Sequence, residues 1–231
     1  MNASLSLIPG WLDAIAIAIG AGSAAVVAEE LRSKRVDWLG VVIIGTSCAL
    51  GGGVIRDLLI GVRPVAMTNE WYLLTALIAS LVGMLLQSTL SHRTSLITLL
   101  DALALGLFCA VGTAKGYAAG LPILPAIFIG TCTAVGGGVI RDLLVDMPVG
   151  VLYAGSLYAV AAMAGASVYL ACMAIGTNDA TALIACGVTA FAIRMASIKF
   201  GLSLPEQMAL RLPRRRRRRA SDQETPPAEP V

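Results

Sequence analysis

Residues 45–59 read GTSCALGGGVIRDLL, and residues 130–144 read GTCTAVGGGVIRDLL. The two stretches are identical at 12 of 15 positions, which marks them as copies of one element. In each copy, three glycines are followed by Val-Ile-Arg-Asp inside otherwise apolar sequence. Glycine is a poor helix former, and charge inside a membrane is costly. The stretches therefore predict two membrane helices that are interrupted at Gly51–Gly53 and Gly136–Gly138 beside buried charge, a combination typical of functional sites.

The composition predicts an integral membrane protein. Of 231 residues, 57% are hydrophobic and 13% are charged, and the mean hydropathy is +0.82. A soluble domain carries about twice that share of charged residues. The five cysteines lie in apolar segments without metal-ligand spacing, so we expect packing residues, no cofactor and no tightly bound metal. The sequence shows no Ser/His/Asp or Cys/His constellation, which argues against an enzyme.

Seven segments satisfy the length of about twenty mostly apolar residues that a spanning helix requires. They lie at about residues 9–28, 38–61, 71–90, 96–114, 123–145, 149–175 and 180–198. We predict a single transmembrane domain over residues 1–203. The remaining residues, 204–231, are predicted to form a disordered, polybasic cytoplasmic tail.

The duplication extends beyond the two glycine motifs. Asp13, in a Leu-Asp-Ala sequence of the first span, matches Asp101, in a Leu-Asp-Ala sequence of the fourth, 88 residues later. Spans one to three (about 9–90) and four to six (about 96–175) are therefore two copies of one unit, and the seventh helix (about 180–200) stands outside the repeat. Because each unit has three spans, the second copy enters the membrane from the opposite side.

The predicted fold is thus all-α: seven transmembrane helices in an inverted 3+3 repeat plus a seventh helix. A pseudo-twofold axis in the membrane plane would bring the segments 51–57 and 136–142 together near the bilayer middle. Glycine breaks there would free carbonyl groups, which favour a cation, and N–H groups, which favour an anion. The glycines alone therefore leave the sign of a transported species open. Nearby hydroxyls are candidates for capping the breaks or lining a wet path: Thr46, Ser47, Thr131 and Thr133.

The distribution of Lys and Arg predicts an outside N-terminus and a cytoplasmic C-terminus. With that orientation, the cytoplasmic side receives most of the basic residues: Arg32, Lys34, Arg35, Arg93, Lys199, Arg211 and the run Arg214–Arg219. The other side receives Arg63 and Lys115. The arginine run is either a clamp for anionic lipid or a stop-transfer signal. Its place just after a membrane span argues against nucleic-acid binding.

Other charges remain at membrane depth, among them Arg56, Arg141 and Arg194. Arg56 and Asp57 are consecutive on a helix, so their directions differ by about 100° and we expect them not to face each other. Their partners are expected from the other repeat or from Asp13 and Asp101, and the second copy, Arg141 and Asp142, follows the same logic. The charges either serve function or form a closed structural network. Lys115 either snorkels to the interface or lies at a pore mouth.

Two copies of GGGxxRD in a 3+3+1 arrangement, each unit led by an Asp-containing span, resemble the prokaryotic trimeric intracellular cation (TRIC-type) channel family. This family is also catalogued as a bacterial glycine transporter family. The resemblance covers about residues 9–200. It implies a homotrimer in the bacterial inner membrane, with one hourglass pore per subunit for monovalent cations, mainly potassium but also sodium. It further implies that the second and fifth transmembrane helices are kinked at their triple glycines.

The resemblance also implies roles for individual residues. The kinks fall at the two glycine triplets: Gly51, Gly52, Gly53, Gly136, Gly137 and Gly138. The charged motif positions near the pore are Arg56, Asp57, Arg141 and Asp142. Further candidate pore-lining residues are Asp13, Asp101, Lys115, Thr46, Ser47 and Thr131. Animal members of the family differ in the motif, so their regulation is not transferred.

Three functions remain open at the level of sequence. The first is a potassium-permeable channel, and the second is a secondary transporter of a small neutral amino acid such as glycine, which an inverted repeat with broken helices suits equally well. The third, an assembly protein without transport activity, leaves the buried charge unexplained.

Overall fold

The structure, a computed structural model, describes residues 10–27, 37–90, 94–152 and 157–203. Within these ranges the chain folds into α-helices and the turns that connect them. The helices are α1 (Gly10–Val27), α2 (Trp38–Ile60), α3 (Val65–Thr68), α4 (Glu70–Leu90), α5 (Thr94–Ala118), α6 (Ile123–Leu144), α7 (Tyr158–Ala174) and α8 (Asp179–Phe200). The short helix α3 was not predicted, and the others overlap the predicted apolar segments. The predicted tail and its arginine run, for which lipid binding is one of two interpretations, lie outside the described residues.

The helices are those of a membrane protein. Among the helices of the described ranges, four are long and apolar enough to cross a membrane: Trp38–Ile60, Ser95–Ala118, Ile123–Leu144 and Asp179–Phe200. Three shorter apolar helices accompany them: Gly10–Val26, Glu70–Leu86 and Tyr158–Ala174. Large apolar side chains point outward from the bundle, including Leu85 on α4 and Ile184 on α8. An apolar outer surface of this extent is stable in lipid and unfavourable in water.

Helix boundaries follow ordinary capping chemistry. The side chain of Asp37 accepts a hydrogen bond from the Gly40 amide at the start of α2, and that helix ends at Gly61 with a left-handed φ of 79°. Asn178 caps α8 in the same way through the Thr181 amide, and Gly201 ends it. Such caps satisfy amides and carbonyls that a helix leaves free at its ends.

The predicted start of the sixth span at residue 149 is wrong, because α7 begins at Tyr158. Residues 149–152 form a turn, in which the Leu152 amide donates to the Val149 carbonyl. The Gly150 amide donates instead to the Asp142 carboxylate, at 3.0 Å. A hydrogen bond to this side chain holds the segment away from helical geometry.

The predicted helix breaks at the glycines are also wrong. Both α2 and α6 continue as uninterrupted helices through Gly51–Gly53 and Gly136–Gly138. The middle glycines instead permit a close crossing: a Cβ on Gly52 would overlap the Thr133 carbonyl oxygen, and a Cβ on Gly137 would overlap the Cys48 carbonyl oxygen. Close packing without side chains is a known use of glycine between membrane helices. Packing therefore outweighs the low helix propensity of these triplets.

Equivalent helices of the two units run in opposite directions. Asp13, near the start of α1, contacts Lys115, near the end of α5. Seven residues further along α1, a Cβ on Gly20 would lie 3.0 Å from Phe108, which precedes Lys115 by seven residues. Since one helix ascends while the other descends, α1 and α5 are antiparallel. This is the arrangement that an inverted repeat predicts.

Helix α5 forms the centre of the bundle. Every residue from 108 to 116 is buried. Its Gly106 packs so closely on α8 that a Cβ there would lie 2.6 Å from the Gly187 carbonyl oxygen. The core is built largely from alanine and other small residues, which lets helix backbones approach each other. The contact between Gly106 and Gly187 places α8, the helix outside the repeat, against the second unit.

Candidate functional site

The first charge cluster consists of Asp13, Arg56, Asp57, Tyr72 and Lys115. Lys115 Nζ donates to Asp13 Oδ2 at 2.9 Å, and the Tyr72 hydroxyl donates to the same oxygen at 3.1 Å. Arg56 Nη1 lies 3.9 Å from Asp13 Oδ1. The cluster joins α1, α2, α4 and α5. Arg56 thus lies near Asp13 of its own unit, one of the partners expected for it, whereas the contact from the second unit comes from Lys115, which was not predicted as a partner.

Within this cluster, Arg56 and Asp57 pair directly with each other. Arg56 Nε donates to Asp57 Oδ1 at 2.8 Å, so the prediction that these neighbours do not face each other is wrong. The prediction considered the directions of the Cβ atoms, but the long arginine side chain bends back across that angle. The second carboxylate oxygen of Asp57 accepts from the Val65 amide at 2.9 Å. Asp57 therefore ties the chain after α2 back onto the helix.

The second charge cluster consists of Asp101, Arg141, Asp142, Tyr158 and Arg194. Arg141 donates through Nε and Nη2 to Asp142 Oδ1, at 3.0 and 2.9 Å. Three groups approach Asp101 at longer distances: Arg141 Nη1 at 3.5 Å, the Tyr158 hydroxyl at 3.4 Å and Arg194 Nη2 at 3.8 Å. The Arg194 guanidinium also stacks over the Tyr158 ring, 4.6 Å from its centroid.

The two clusters are copies of each other. Three contacts of the first unit recur in the second. They are the hydrogen bond from the motif arginine to its neighbouring aspartate, the hydrogen bond that this aspartate accepts from a backbone amide eight residues later, and the hydrogen bond from a tyrosine hydroxyl to the leading aspartate. One member differs. Asp13 meets Lys115 from α5, whereas Asp101 meets Arg194 from α8. Each cluster thus combines two carboxylates with two cations and is neutral overall.

Each cluster faces a small cavity. The first cavity, about 20 Å³, is lined by residues that include Asp13, Gly53 and Phe108. The second, about 70 Å³, is lined by residues that include Asp101, Gly138 and Arg194. The first cluster is nearly sealed, with its paired side chains 3–7% exposed, whereas those of the second are 12–19% exposed. The second unit therefore offers a looser and more accessible site.

The linings of the two cavities differ in one large side chain. The first cavity is lined by Phe108 in addition to Tyr72, whereas Tyr158 is the aromatic residue among those that line the second. The repeat matches Phe108 with Gly20, which has no side chain.

The glycine triplets lie between the two clusters, and the first, second and third glycine of each triplet have different surroundings. Gly51 and Gly136 face an isoleucine of the opposite helix, Ile140 and Ile55 respectively. Gly52 and Gly137 form the crossing of α2 and α6. Gly53 and Gly138 line the two cavities.

The predicted hydroxyl candidates lie elsewhere. Thr131 and Thr133 donate to carbonyls one turn earlier in α6, at 2.9 and 2.7 Å. Thr46 Oγ1 is buried and has no hydrogen-bond partner among the described residues. Together with Ser47, these three residues do not line the two cavities described above. The uninterrupted helices also leave no freed carbonyls at the glycines to serve as cation ligands.

Sequence reasoning missed three members of the clusters. Tyr72 and Tyr158 carried no special signal, because tyrosine is common near membrane interfaces. Their equivalence emerges from the repeat only when a spacing of 86 residues is allowed. Arg194 was noticed at membrane depth but received no partner, because α8 lies outside the repeat.

Each cluster contains a carboxylate whose chemistry suits a small cation. A carboxylate such as Asp13 or Asp101 is a hard oxygen ligand, and in each cluster its counter-ion sits at the end of a long, flexible side chain. A small cation could replace that side chain at the carboxylate without changing the local charge. The remaining pairs, Arg56–Asp57 and Arg141–Asp142, are short, at 2.8 and 2.9 Å.

The repeated clusters around a glycine crossing define a helical membrane protein with an internal repeat and a charged interior. The family model described as "Glycine transporter" matches residues 10–88 and 98–174. The UPF0126 inner membrane protein YadS of Escherichia coli strain K12 is 32% identical over 202 residues, which cover 84% of this chain and 94% of that protein.

Solved structures agree with this assignment. The TRIC trimeric intracellular cation channel orthologue from Rhodobacter sphaeroides is 32% identical, covers 83% of this chain and 97% of its own, and has a TM-score of 0.77. A structure that describes conductance through TRIC cation channels is 30% identical, with coverages of 88% and 98% and a TM-score of 0.78. The chain therefore belongs to the prokaryotic TRIC-type family, which the family model describes as glycine transporters.

Proposed function

We propose that this chain is a passive channel for monovalent cations, mainly potassium, with one pore in each subunit of a homotrimer. The observation that carries the proposal is the pair of equivalent charge clusters on either side of the Gly52–Gly137 crossing. Each cluster presents an aspartate whose counter-ion is the end of a long side chain, Lys115 or Arg194. The Rhodobacter sphaeroides relative, described as a trimeric intracellular cation channel, supports both the cation and the trimer.

The path would run from the first cavity past Gly53, across the glycine crossing, and past Gly138 to the second cavity. The crossing is the constriction, where backbone meets backbone. We propose that α2 and α6 bend at their triplets when the pore opens. Each glycine lowers helix stability by about 1 kcal/mol relative to alanine, so three in succession make bending inexpensive.

The clusters favour a cation over an anion. Asp13 and Asp101 sit on helices, and their charge cannot leave the site, whereas Lys115 and Arg194 can swing away. A permeant cation that replaces one of these side chains keeps the cluster neutral. An anion would require the arginines of the motif to give up their short bonds to Asp57 and Asp142, which is costly for buried charge.

A secondary transporter of a small neutral amino acid such as glycine is the second candidate. The second cluster offers a carboxylate for an amine and guanidinium groups for a carboxylate, beside a cavity of about 70 Å³. The description of the matching family model also favours this function.

Reconstitution of the purified protein in a planar bilayer separates the two candidates. A channel gives unitary currents that reverse at the potassium equilibrium potential when potassium is the sole permeant cation and is present in a gradient. A transporter gives silent bilayers and saturable, gradient-coupled glycine uptake into vesicles. The second result would reject the proposed channel.

We also propose the membrane arrangement. The seven longer helices span the bacterial inner membrane, with the N-terminus outside and the C-terminus in the cytoplasm. Residues 1–203 form the channel domain, and the arginine run Arg214–Arg219 binds anionic lipid. The inner-membrane description of the Escherichia coli relative supports the location.

A further inference from the structure

We infer that Arg194 is a tethered cation that occupies the cation position at Asp101, and that its withdrawal opens the second side of the pathway. This inference rests on the proposed channel function and assigns regulation of the same site to a residue outside the repeat. It starts from the difference between the two clusters.

The repeat alone leaves Asp101 without the second cation that Asp13 has. Lys115 supplies that cation to Asp13, and the equivalent position of α1, 88 residues earlier, is Val27. Valine carries no charge, so α1 does not supply the second cluster with a cation equivalent to Lys115. Arg194 restores the balance of two carboxylates and two cations, and it comes from α8. The added helix thus completes the site that the duplication left unbalanced.

Arg194 is held less firmly than Lys115. Its Nη2 lies 3.8 Å from Asp101 Oδ2, beyond hydrogen-bond distance, whereas Lys115 Nζ lies 2.9 Å from Asp13. Its Nε and Nη1 are buried and find no hydrogen-bond acceptor among the described residues. What holds it is attraction to Asp101 and stacking on the Tyr158 ring. Moving to water would satisfy these two donor atoms, which offsets part of the cost of leaving Asp101.

Arg194 is also placed to control access. It lines the larger cavity together with Asp101 and Gly138. Lys115 is not among the residues that line the smaller one. When Arg194 swings out, the Asp101 carboxylate faces a cavity that already has room for a small cation. The second cluster would therefore exchange its cation first, and the first cluster would be the slower barrier.

The test compares Arg194→Gln, Arg194→Lys and the wild type in planar bilayers with potassium chloride. Gln keeps much of the size and loses the charge, so the potassium conductance of R194Q should rise by about fivefold, which corresponds to a conduction barrier lower by about 1 kcal/mol. Guanidinium chloride should block R194Q at lower concentration than the wild type, because the ion fits the vacated position. R194K should behave like the wild type. Lys199→Gln, an exposed change on the same helix, is the matched control.

A second measurement does not require conduction. We expect the unfolding temperature of R194Q in detergent to be higher in potassium chloride than in choline chloride, because potassium binds the freed Asp101. The wild type and K199Q should show no such difference. A purely structural role would lower the stability of R194Q equally in both salts and leave guanidinium without effect, and that result would overturn the inference. If the wild type carries no cation current, the channel proposal fails, while the salt dependence still tests Arg194.

Discussion

Gly52 and Gly137 occupy equivalent positions in the two units, and their lack of side chains allows α2 and α6 to cross closely. A Cβ on either glycine would overlap a backbone carbonyl oxygen of the other helix. The crossing lies between two neutral charge clusters that repeat each other's contacts. In the proposed channel this crossing is the constriction, and it connects the two sides of the molecule. If α2 moves when the proposed channel opens, we expect its contact with α6 at Gly52 and Gly137 to change as well.

Gly52→Ala should destabilise the protein. The added methyl group meets backbone, which cannot move aside as a side chain can, so overpacking should cost about 1–3 kcal/mol. Unfolding in a titration with sodium dodecyl sulfate, followed by circular dichroism, measures this loss.

Gly53→Ala is the matched control for this substitution. Its Cβ would meet Arg56 Nη2 at 3.7 Å, an ordinary contact, and alanine should stabilise the helix by about 1 kcal/mol. If both variants unfold alike, the crossing is not the tight contact described here. In the proposed channel, Gly53→Ala should also lower conductance by stiffening α2, so stability and conduction should change in opposite directions.

The sequence predicted the features that the internal repeat determines, and it failed for the features that side-chain packing determines. The match between Asp13 and Asp101 identified the leading residue of each cluster, and the apolar segments placed the long helices. The predicted helix break was wrong because helix propensity describes an isolated helix. Gly52 lies in a helix crossing whose close packing requires a residue without a side chain. The separation of Arg56 and Asp57 was wrong because helix geometry fixes Cβ directions but not the reach of an arginine.

Lys115→Met should be strongly destabilising on its own. It leaves Asp13 buried with the Tyr72 hydroxyl and a distant Arg56 as its remaining partners, and an uncompensated buried charge costs about 3–5 kcal/mol. Adding Asp13→Asn removes that charge, so the double variant should recover most of the loss. Thermal unfolding of the wild type, the two single variants and the double variant gives the coupling energy. Additive losses would show that the Lys115–Asp13 pair contributes nothing specific.

Val65→Pro should reveal what the Asp57 carboxylate does beyond its pairing with Arg56. Val65 is the first residue of α3, a position that accepts proline, so the substitution removes the amide N–H with little strain. Asp57 Oδ2 then loses its 2.9 Å hydrogen bond, and the expected cost is about 1–3 kcal/mol. Val65→Ala keeps the amide and controls for loss of the side chain. Equal unfolding free energies for the two variants would contradict a role for this bond.

Gly106→Ala and Gly187→Ala should differ although the two glycines face each other. A Cβ on Gly106 would lie 2.6 Å from the Gly187 carbonyl oxygen, whereas a Cβ on Gly187 would lie 3.6 Å from the Gly106 carbonyl oxygen. We therefore expect G106A to lose about 1–3 kcal/mol by overpacking and G187A to be neutral or stabilised by up to about 1 kcal/mol. Detergent unfolding of both variants measures the difference, and similar stabilities would contradict the asymmetric contact. Because this contact seats α8 beside α5, G106A should also shift Arg194 relative to Asp101. In the proposed channel, G106A should then reproduce part of the conductance increase expected for R194Q, while G187A should conduct like the wild type.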